Sequence, residues 1–486
     1  VRAVLAMSML AALVAVGATS DAADVDAGRL AARHGFASRD LGFVLFDPSD
    51  GRVLDEHNAD EPFIPASTTK VATAVAALDV LGADFRFATT LLATGEIVDG
   101  TLHGDLYLRG GGDPTLTSDD LRALVAELRA AGVRRIDGAL WFDESLYPRA
   151  AEIDALQPEA AQYNPAVSAL SVNYNRIELR WRRDGGGRRT TAILSPADGG
   201  ALPVESIGAG VLEAKLDRRI DFLFVAEPRP RWLLAPHLPP SGSTFLPLRG
   251  DPGPVAAELL VTLARRAGIE LPTAHRGVAP AGARVIARHE SAPLRDVVQG
   301  LLRFSNNLTA ELTGLATSHR LSGTGLALEA SARRVAAWWQ DRLPATSFRG
   351  FVATNHSGLS SVTRHTPRQM AAILRYGAAG GASGVRLQDV LALRERGDDA
   401  RGAAEGGPPV RAKSGTLLYA DGLVGFLTTR SGRELGFVIL LTDADARARL
   451  DATRDVRIAA SPPEAVDWTA RAKALERELV ARWADA

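Results

Sequence analysis

The sequence predicts an α/β fold in which one antiparallel sheet is layered with helices and a large β-rich insertion interrupts the chain. Three patterns carry this expectation. Strand-like runs stand near both ends of the 486 residues, LGFVLFDPSDGRVLDE from Leu41 and RAKSGTLLYADGLVGFLTTRSGRELGFVILLTD from Arg411. Helical patterns lie between them. Residues 89–285 differ from both, with many Gly and Pro and short β-like runs such as GALWFD and RIELRWRR.

In chain order, Arg2 precedes an apolar or small run from Ala3 to Val16, followed by GATSDAAD. This reads as a secretory signal over residues 1–23, which would place the mature protein in the periplasm. The run is shorter than the ~20 residues a membrane-crossing helix needs, and no later apolar segment is long enough. DPSDG then turns one strand into the next. In FIPASTTKVATAVAALDVLG, Pro65 opens a helix, an Ala/Val-rich run continues to Leu81, and Gly82 ends it. Residues 24–88 and 286–486 are assigned to the layered core, and 89–285 to the insertion, which has room for two nested subdomains. Helix returns in SAPLRDVVQGLLRFSNNLTAELTGLATS. Three strands follow near the C-terminus, with SGRE turning between the last two. A closing helix from Pro463 to Trp483 is expected to pack on the sheet, since acidic residues interrupt its other face.

Composition narrows the chemistry. With 56 Lys+Arg against 57 Asp+Glu, there is no electrostatic case for nucleic acid as partner. The absence of Cys removes disulfides, iron–sulfur clusters, thiolate zinc and a Cys nucleophile. The nine His residues show no H-E-x-x-H spacing, which argues against a metallopeptidase. Gly110 to Gly112 are followed by Asp-Pro, which fits a tight turn better than a phosphate cradle.

Only four of the 56 basic residues are lysines: Lys70, Lys215, Lys413 and Lys473. Arg stays protonated and cannot act as a base, so a lysine kept in an Arg-rich chain draws attention. Ser67 and Lys70 are three apart on a predicted helix and share a face. Ser67 lies in the first turn, where unpaired N–H groups face a developing anion. An amine one turn away can take the hydroxyl proton if desolvation or a second cation lowers its pKa from ~10.4. Ser305 and Asn307 supply a hydroxyl and an amide in FSNNLTAEL. Lys413, Ser414, Gly415 and Thr416 stand on a predicted strand, with Gly415 leaving that edge open. Singly, each fragment is an ordinary cap or turn. Together, in the order S-x-x-K, S-x-N, K-S-G, they are specific for penicillin-binding proteins and serine β-lactamases.

The sequence resembles the class C low-molecular-mass penicillin-binding proteins, D-alanyl-D-alanine carboxypeptidases and endopeptidases. IPASTTKVATAVAALDVLGADFRF, LYLRGGGDPTL, YNPAVSALSVNYN, SNNLTAELT, SGLSS with TPRQM, and AKSGTL match that family's blocks in order. The resemblance implies a transpeptidase-like core and acyl transfer on peptidoglycan peptides ending in D-Ala-D-Ala, with β-lactams as inhibitors and no cofactor or metal. By the same resemblance Ser67 is the nucleophile, Lys70 its base and Ser305 a proton relay. Asn307 holds the substrate amide. Lys413 and the Thr416 hydroxyl meet the terminal carboxylate, the charge of Lys413 helps depress Lys70, and the N–H groups of Ser67 and Thr416 form the oxyanion hole. Tyr163 is a candidate for the pocket rim. Departures are Asn355 and His356 before Ser357, Ser361 in place of an Arg with Arg364 nearby, Ser414 within the Lys-Thr-Gly block, and GDDARGAAEGGPPVR before Lys413. A β-lactamase or esterase of the same fold, and a module that binds without turnover, remain alternatives at this stage.

Overall fold

Both ends of the chain meet in one sheet. Strands β1 (Leu41–Phe46), β2 (Val53–His57), β3 (Val410–Leu417), β4 (Ala420–Thr428) and β5 (Glu434–Thr442) pair antiparallel in the order β3-β4-β5-β1-β2. This computed structural model describes residues 26–485 except 186–188, 199, 213–216 and 394–408. The expected signal (1–23) and most of GDDARGAAEGGPPVR lie outside the described residues.

The central strands are apolar on both faces because both are covered. Val44, Phe46, Val424, Phe426, Val438 and Leu440 face one helical layer. Their alternates Phe43, Leu45, Leu423, Phe437, Ile439 and Leu441 face another. That second layer holds helix α1 (Ala27–Arg33) and the closing helix (Pro463–Ala484), whose Trp468, Leu475, Leu479 and Trp483 pack on the sheet. Each large side chain so buried contributes roughly 1.5–3 kcal/mol relative to exposure. No helix among the described residues is long and apolar enough to cross a membrane.

The first layer is built round α2 (Thr69–Leu81), in which every residue from Thr69 to Leu78 is buried. A helix apolar all round belongs inside a protein, so its single lysine is carried inside with it. Gly82 ends it at φ +90. The predicted long helix after residue 293 divides into α3 (Leu294–Phe304) and α4 (Asn307–Ser322). Ser305 breaks it by adopting φ +56 and bonding its N–H to the Leu301 carbonyl, while Asn306 caps α4 by accepting from Thr309 N at 3.0 Å.

Between α2 and α3 the chain forms a mixed five-stranded sheet, a four-stranded antiparallel sheet and two three-stranded sheets. One continuous apolar cluster, from Leu91 to Ala287, runs through them. The insertion touches the core where it matters chemically. Tyr163 reaches α4, and Glu159 N bonds the Val456 carbonyl at 2.8 Å.

Candidate active site

Ser67 sits in a short 3-10 turn, Ala66–Thr68, at the head of α2. Two close backbone approaches pin the turn. From one side Gly415 of β3 lies against it, so that a Cβ there would stand 2.7 Å from both the Pro65 carbonyl and Ser67 N. From the other, Gly358 (φ +74) lies so close to the Ala66 carbonyl that a Cβ would overlap it. Ala66 itself is held at φ +47, a strained value for a residue with a side chain.

Lys70 is fully buried one turn along. Its Nζ lies 2.8 Å from Ser67 Oγ, 2.7 Å from Asn307 Oδ1 and 2.8 Å from the Ser357 carbonyl. As an ammonium it has three donors, and all three are used. As a neutral amine it keeps two donors and one lone pair. The Ser357 carbonyl can only accept. Asn307 also presents its oxygen, because its Nδ2 donates to the Tyr163 carbonyl at 2.8 Å. Both amine protons are therefore claimed, and the lone pair is left facing the Ser67 hydroxyl, the one partner able to donate. Burial lowers the amine from an ordinary 10.5 to about 7. The cause is burial, one of the two the sequence allowed.

Glu311 opposes that shift and was not foreseen. It lies four residues beyond Asn307 on the same face of α4, fully buried, and accepts from His356 N and Ser357 N at 2.9 Å each. It thus grips by its N–H the residue whose carbonyl grips Lys70, and its charge raises the Lys70 pKa. Burial raises Glu311 itself, against those two N–H bonds. The signal was present in the sequence, since N-x-x-x-E on a helix places both side chains on one face. Glu311→Gln is expected to move the acid limb of Ser67 acylation to lower pH, because the charge favouring the ammonium is gone. It should also cost about 1–3 kcal/mol of stability, since His356 N and Ser357 N donate to different oxygens of Glu311 and one of these becomes an NH2 donor. A pH–rate profile with melting curves checks both, and an unmoved limb would count against the coupling.

Ser305, Thr416 and Tyr163 share a crevice with Ser67 and Asn307. The crevice, of about 280 Å³, is also lined by Gly358, among others, and Tyr163 is half-exposed. Lys413 and Gly415 alternate on β3 with Val410 and Ala412, which face the opposite layer, so both are directed toward the Ser67 turn. Lys413 is buried, with Nζ donating to the Ser414 carbonyl at 2.5 Å; Ser414 is half-buried. The Thr416 hydroxyl differs from expectation. It donates to Asp421 Oδ1 at 2.7 Å and so does not aim its proton into the crevice.

The departures noted in the sequence are accommodated structurally. Asn355 Oδ1 accepts from Gly358 N at 2.9 Å and Leu359 N at 3.2 Å, closing the turn that abuts Ala66. His356 is buried over Gly314, pairs with Ser331 Oγ at 2.7 Å, and is held neutral by burial, at about 3. Arg364 turns back to the Ser361 carbonyl. Two arginines line the crevice. Arg447 is clamped by Asp451, whereas Arg454 is half-buried with no ion-pair partner among the described residues.

Comparison with known proteins is decisive at this point. The model of the D-Ala-D-Ala carboxypeptidase 3 (S13) family matches residues 27–460. The chain belongs to that family. Within this carboxypeptidase family, it is 30% identical over 441 residues to the D-alanyl-D-alanine carboxypeptidase of Actinomadura sp. (strain R39), covering 82% of this chain and 77% of that one. It is 27% identical over 422 residues to D-alanyl-D-alanine carboxypeptidase DacB of Haemophilus influenzae, covering 82% and 84%. The crystal structure of penicillin binding protein 4 from Haemophilus influenzae superposes with a TM-score of 0.72 at 22% identity, over 92% of this chain and 96% of that one. The family fold expected from the sequence is the fold observed.

Proposed function

We propose that the chain is a periplasmic serine D-Ala-D-Ala carboxypeptidase of peptidoglycan stem peptides, with endopeptidase activity on cross-links and acylation by β-lactams at Ser67. Residues 24–88 and 286–486 form its catalytic unit, and 89–285 the insertion. The observation that carries the reading is the Lys70 lone pair, fixed on the Ser67 hydroxyl by two partners that can only accept.

Ser67 Oγ attacks the carbonyl of the penultimate D-Ala as its proton passes to Lys70. The N–H groups of Ser67 and Thr416 take the developing oxyanion. Ser305, on the crevice wall, hands a proton to the leaving amine, and Asn307 offers its second amide hydrogen to the substrate. Lys413 and Ser414 of β3 receive the terminal carboxylate beside the Ser67 turn. Thr416 joins them only if that carboxylate displaces Asp421 from its hydroxyl. Water then releases the peptide. Arg454 in the crevice lining suits a peptide carrying a further carboxylate.

The test uses the purified protein with a fluorescent penicillin and a muropeptide pentapeptide, following adduct lifetime and D-Ala release. A long-lived adduct with D-Ala release is expected. Rapid loss of adduct with hydrolysed drug would assign a β-lactamase instead, and an adduct without release of D-Ala a binding module.

A further inference from the structure

A second cleft, of about 570 Å³, adjoins the catalytic crevice and shares Tyr163, Ser305 and Asn307 with it. Its walls come from α3, α4 and the insertion. Among the described residues the exposed aromatic side chains are Tyr163 (43%), Tyr174 (38%), Phe245 (46%) and Phe304 (74%), and all but Phe245 line this cleft. Such concentration is not what scattered surface apolar residues give.

The presentation of Tyr174 is built, not incidental. Asn173, Tyr174 and Asn175 are all left-handed, with φ of 51, 58 and 50. The two flanking asparagines are buried and anchored, Asn173 to Ser118 Oγ and Ser195 Oγ, Asn175 to the Ala166 carbonyl and Ser171 Oγ. The strained run therefore holds one phenol ring outward on a rigid base. Around the rings stand planar polar groups, Gln162, Asn306 and Arg176. Asn306 caps α4 through its oxygen and leaves its amide nitrogen to donate elsewhere.

Of the two components of peptidoglycan, the glycan fits this surface. The two terminal alanines of a stem peptide offer only methyl groups to an aromatic face. An acetylated amino sugar has an apolar ring face for Tyr174 and Phe304, and hydroxyl and acetamido groups for the amides and guanidinium. A stem peptide extends at most about 3.3–3.6 Å per residue, so a sugar four residues from the reacting carbonyl lies at most about 14 Å away and can extend into an adjoining cleft. We propose that this cleft is a subsite for the N-acetylated disaccharide of the strand that carries the stem peptide. The assignment rests on the carboxypeptidase reading above, which it deepens.

Two substrates with the same pentapeptide, one bearing its N-acetylglucosaminyl–N-acetylmuramoyl disaccharide and one free of sugar, are compared by D-Ala release from the full chain. The sugar-bearing substrate should have the higher kcat/KM, by about tenfold. The ratio should fall to about twofold or less in Tyr174→Ala/Phe304→Ala and persist in Tyr174→Phe, which keeps the ring. Equal kcat/KM values in the parent protein, or a preference that survives in the double variant, overturn the assignment. So does a preference that follows a longer cross-linked peptide in place of the sugar. Calorimetric titration with the peptide-free disaccharide separates this proposal from the activity. Saturable binding lost in the double variant, without any D-Ala release, would sink the carboxypeptidase reading and keep the sugar site. D-Ala release without saturable binding or preference would do the reverse.

Discussion

Replacing Lys70 by Arg is expected to slow acylation of Ser67 on the order of 10³-fold, in the middle of the range for losing a positioned base. A guanidinium stays protonated and has no lone pair to receive the Ser67 proton. The Ser357 carbonyl and Asn307 Oδ1 would still accept from it, so the loss concerns proton transfer and not merely a missing contact. Because Lys70 is fully buried, the larger Arg strains its surroundings. Lys70→Met, close in length and uncharged, provides the second arm, and melting curves report whether either variant is folded. In the parent protein the same geometry makes the rate climb as pH passes about 7, where Lys70 loses its proton. Stopped-flow acylation by a fluorescent penicillin measures both. A folded Met or Arg variant that acylates at near the parent rate would remove Lys70 from the mechanism.

The parts of this site that could be read from the sequence are those encoded by side chains in short range or in a recognisable order. Ser67 and Lys70 meet because three residues apart on a helix is one face. The meeting of Lys70 with Asn307 across 237 positions was available only through motif order, since no local spacing brings them together. What stayed hidden has main-chain or tertiary origins. The Ser357 carbonyl holds Lys70, yet a carbonyl has no residue signature. The depressed Lys70 pKa comes from burial of an apolar helix, a property of packing that the sequence could offer only as one of two causes, beside a second cation. The helix predicted across residue 305 breaks because Ser305 turns left-handed, which propensity alone opposes. His356 looked like a damaged motif position. It is a core residue, seated over a glycine on the neighbouring helix.

Gly415→Ala should also be damaging, although it adds a single methyl group and removes no group that carries a proton. The new Cβ would stand 2.7 Å from Ser67 N, 2.7 Å from the Pro65 carbonyl and 2.8 Å from Thr68 N. All three are backbone atoms, so no rotamer change relieves them. The turn cannot retreat, because Gly358 already presses on the Ala66 carbonyl from behind. β3 must move instead, against a ladder with β4 that runs from Val410 to Leu417. Overpacking of this kind costs about 1–3 kcal/mol. The kinetic cost is larger, since β3 carries both Thr416 N–H and Lys413, and displacement of a reacting geometry by ~1 Å can cost ~10²-fold. Gly422, paired with Gly415 across the ladder, supplies the contrast. A Cβ there meets the tip of the Leu440 side chain at 2.9 Å, and the nearest backbone atom, the Ile439 carbonyl oxygen, stands at 3.2 Å, farther than any of the three at Gly415. Gly422→Ala should therefore lose much less acylation than Gly415→Ala. Equal rates in the two variants would mean that the close approach of β3 to the Ser67 turn does not set the geometry for attack.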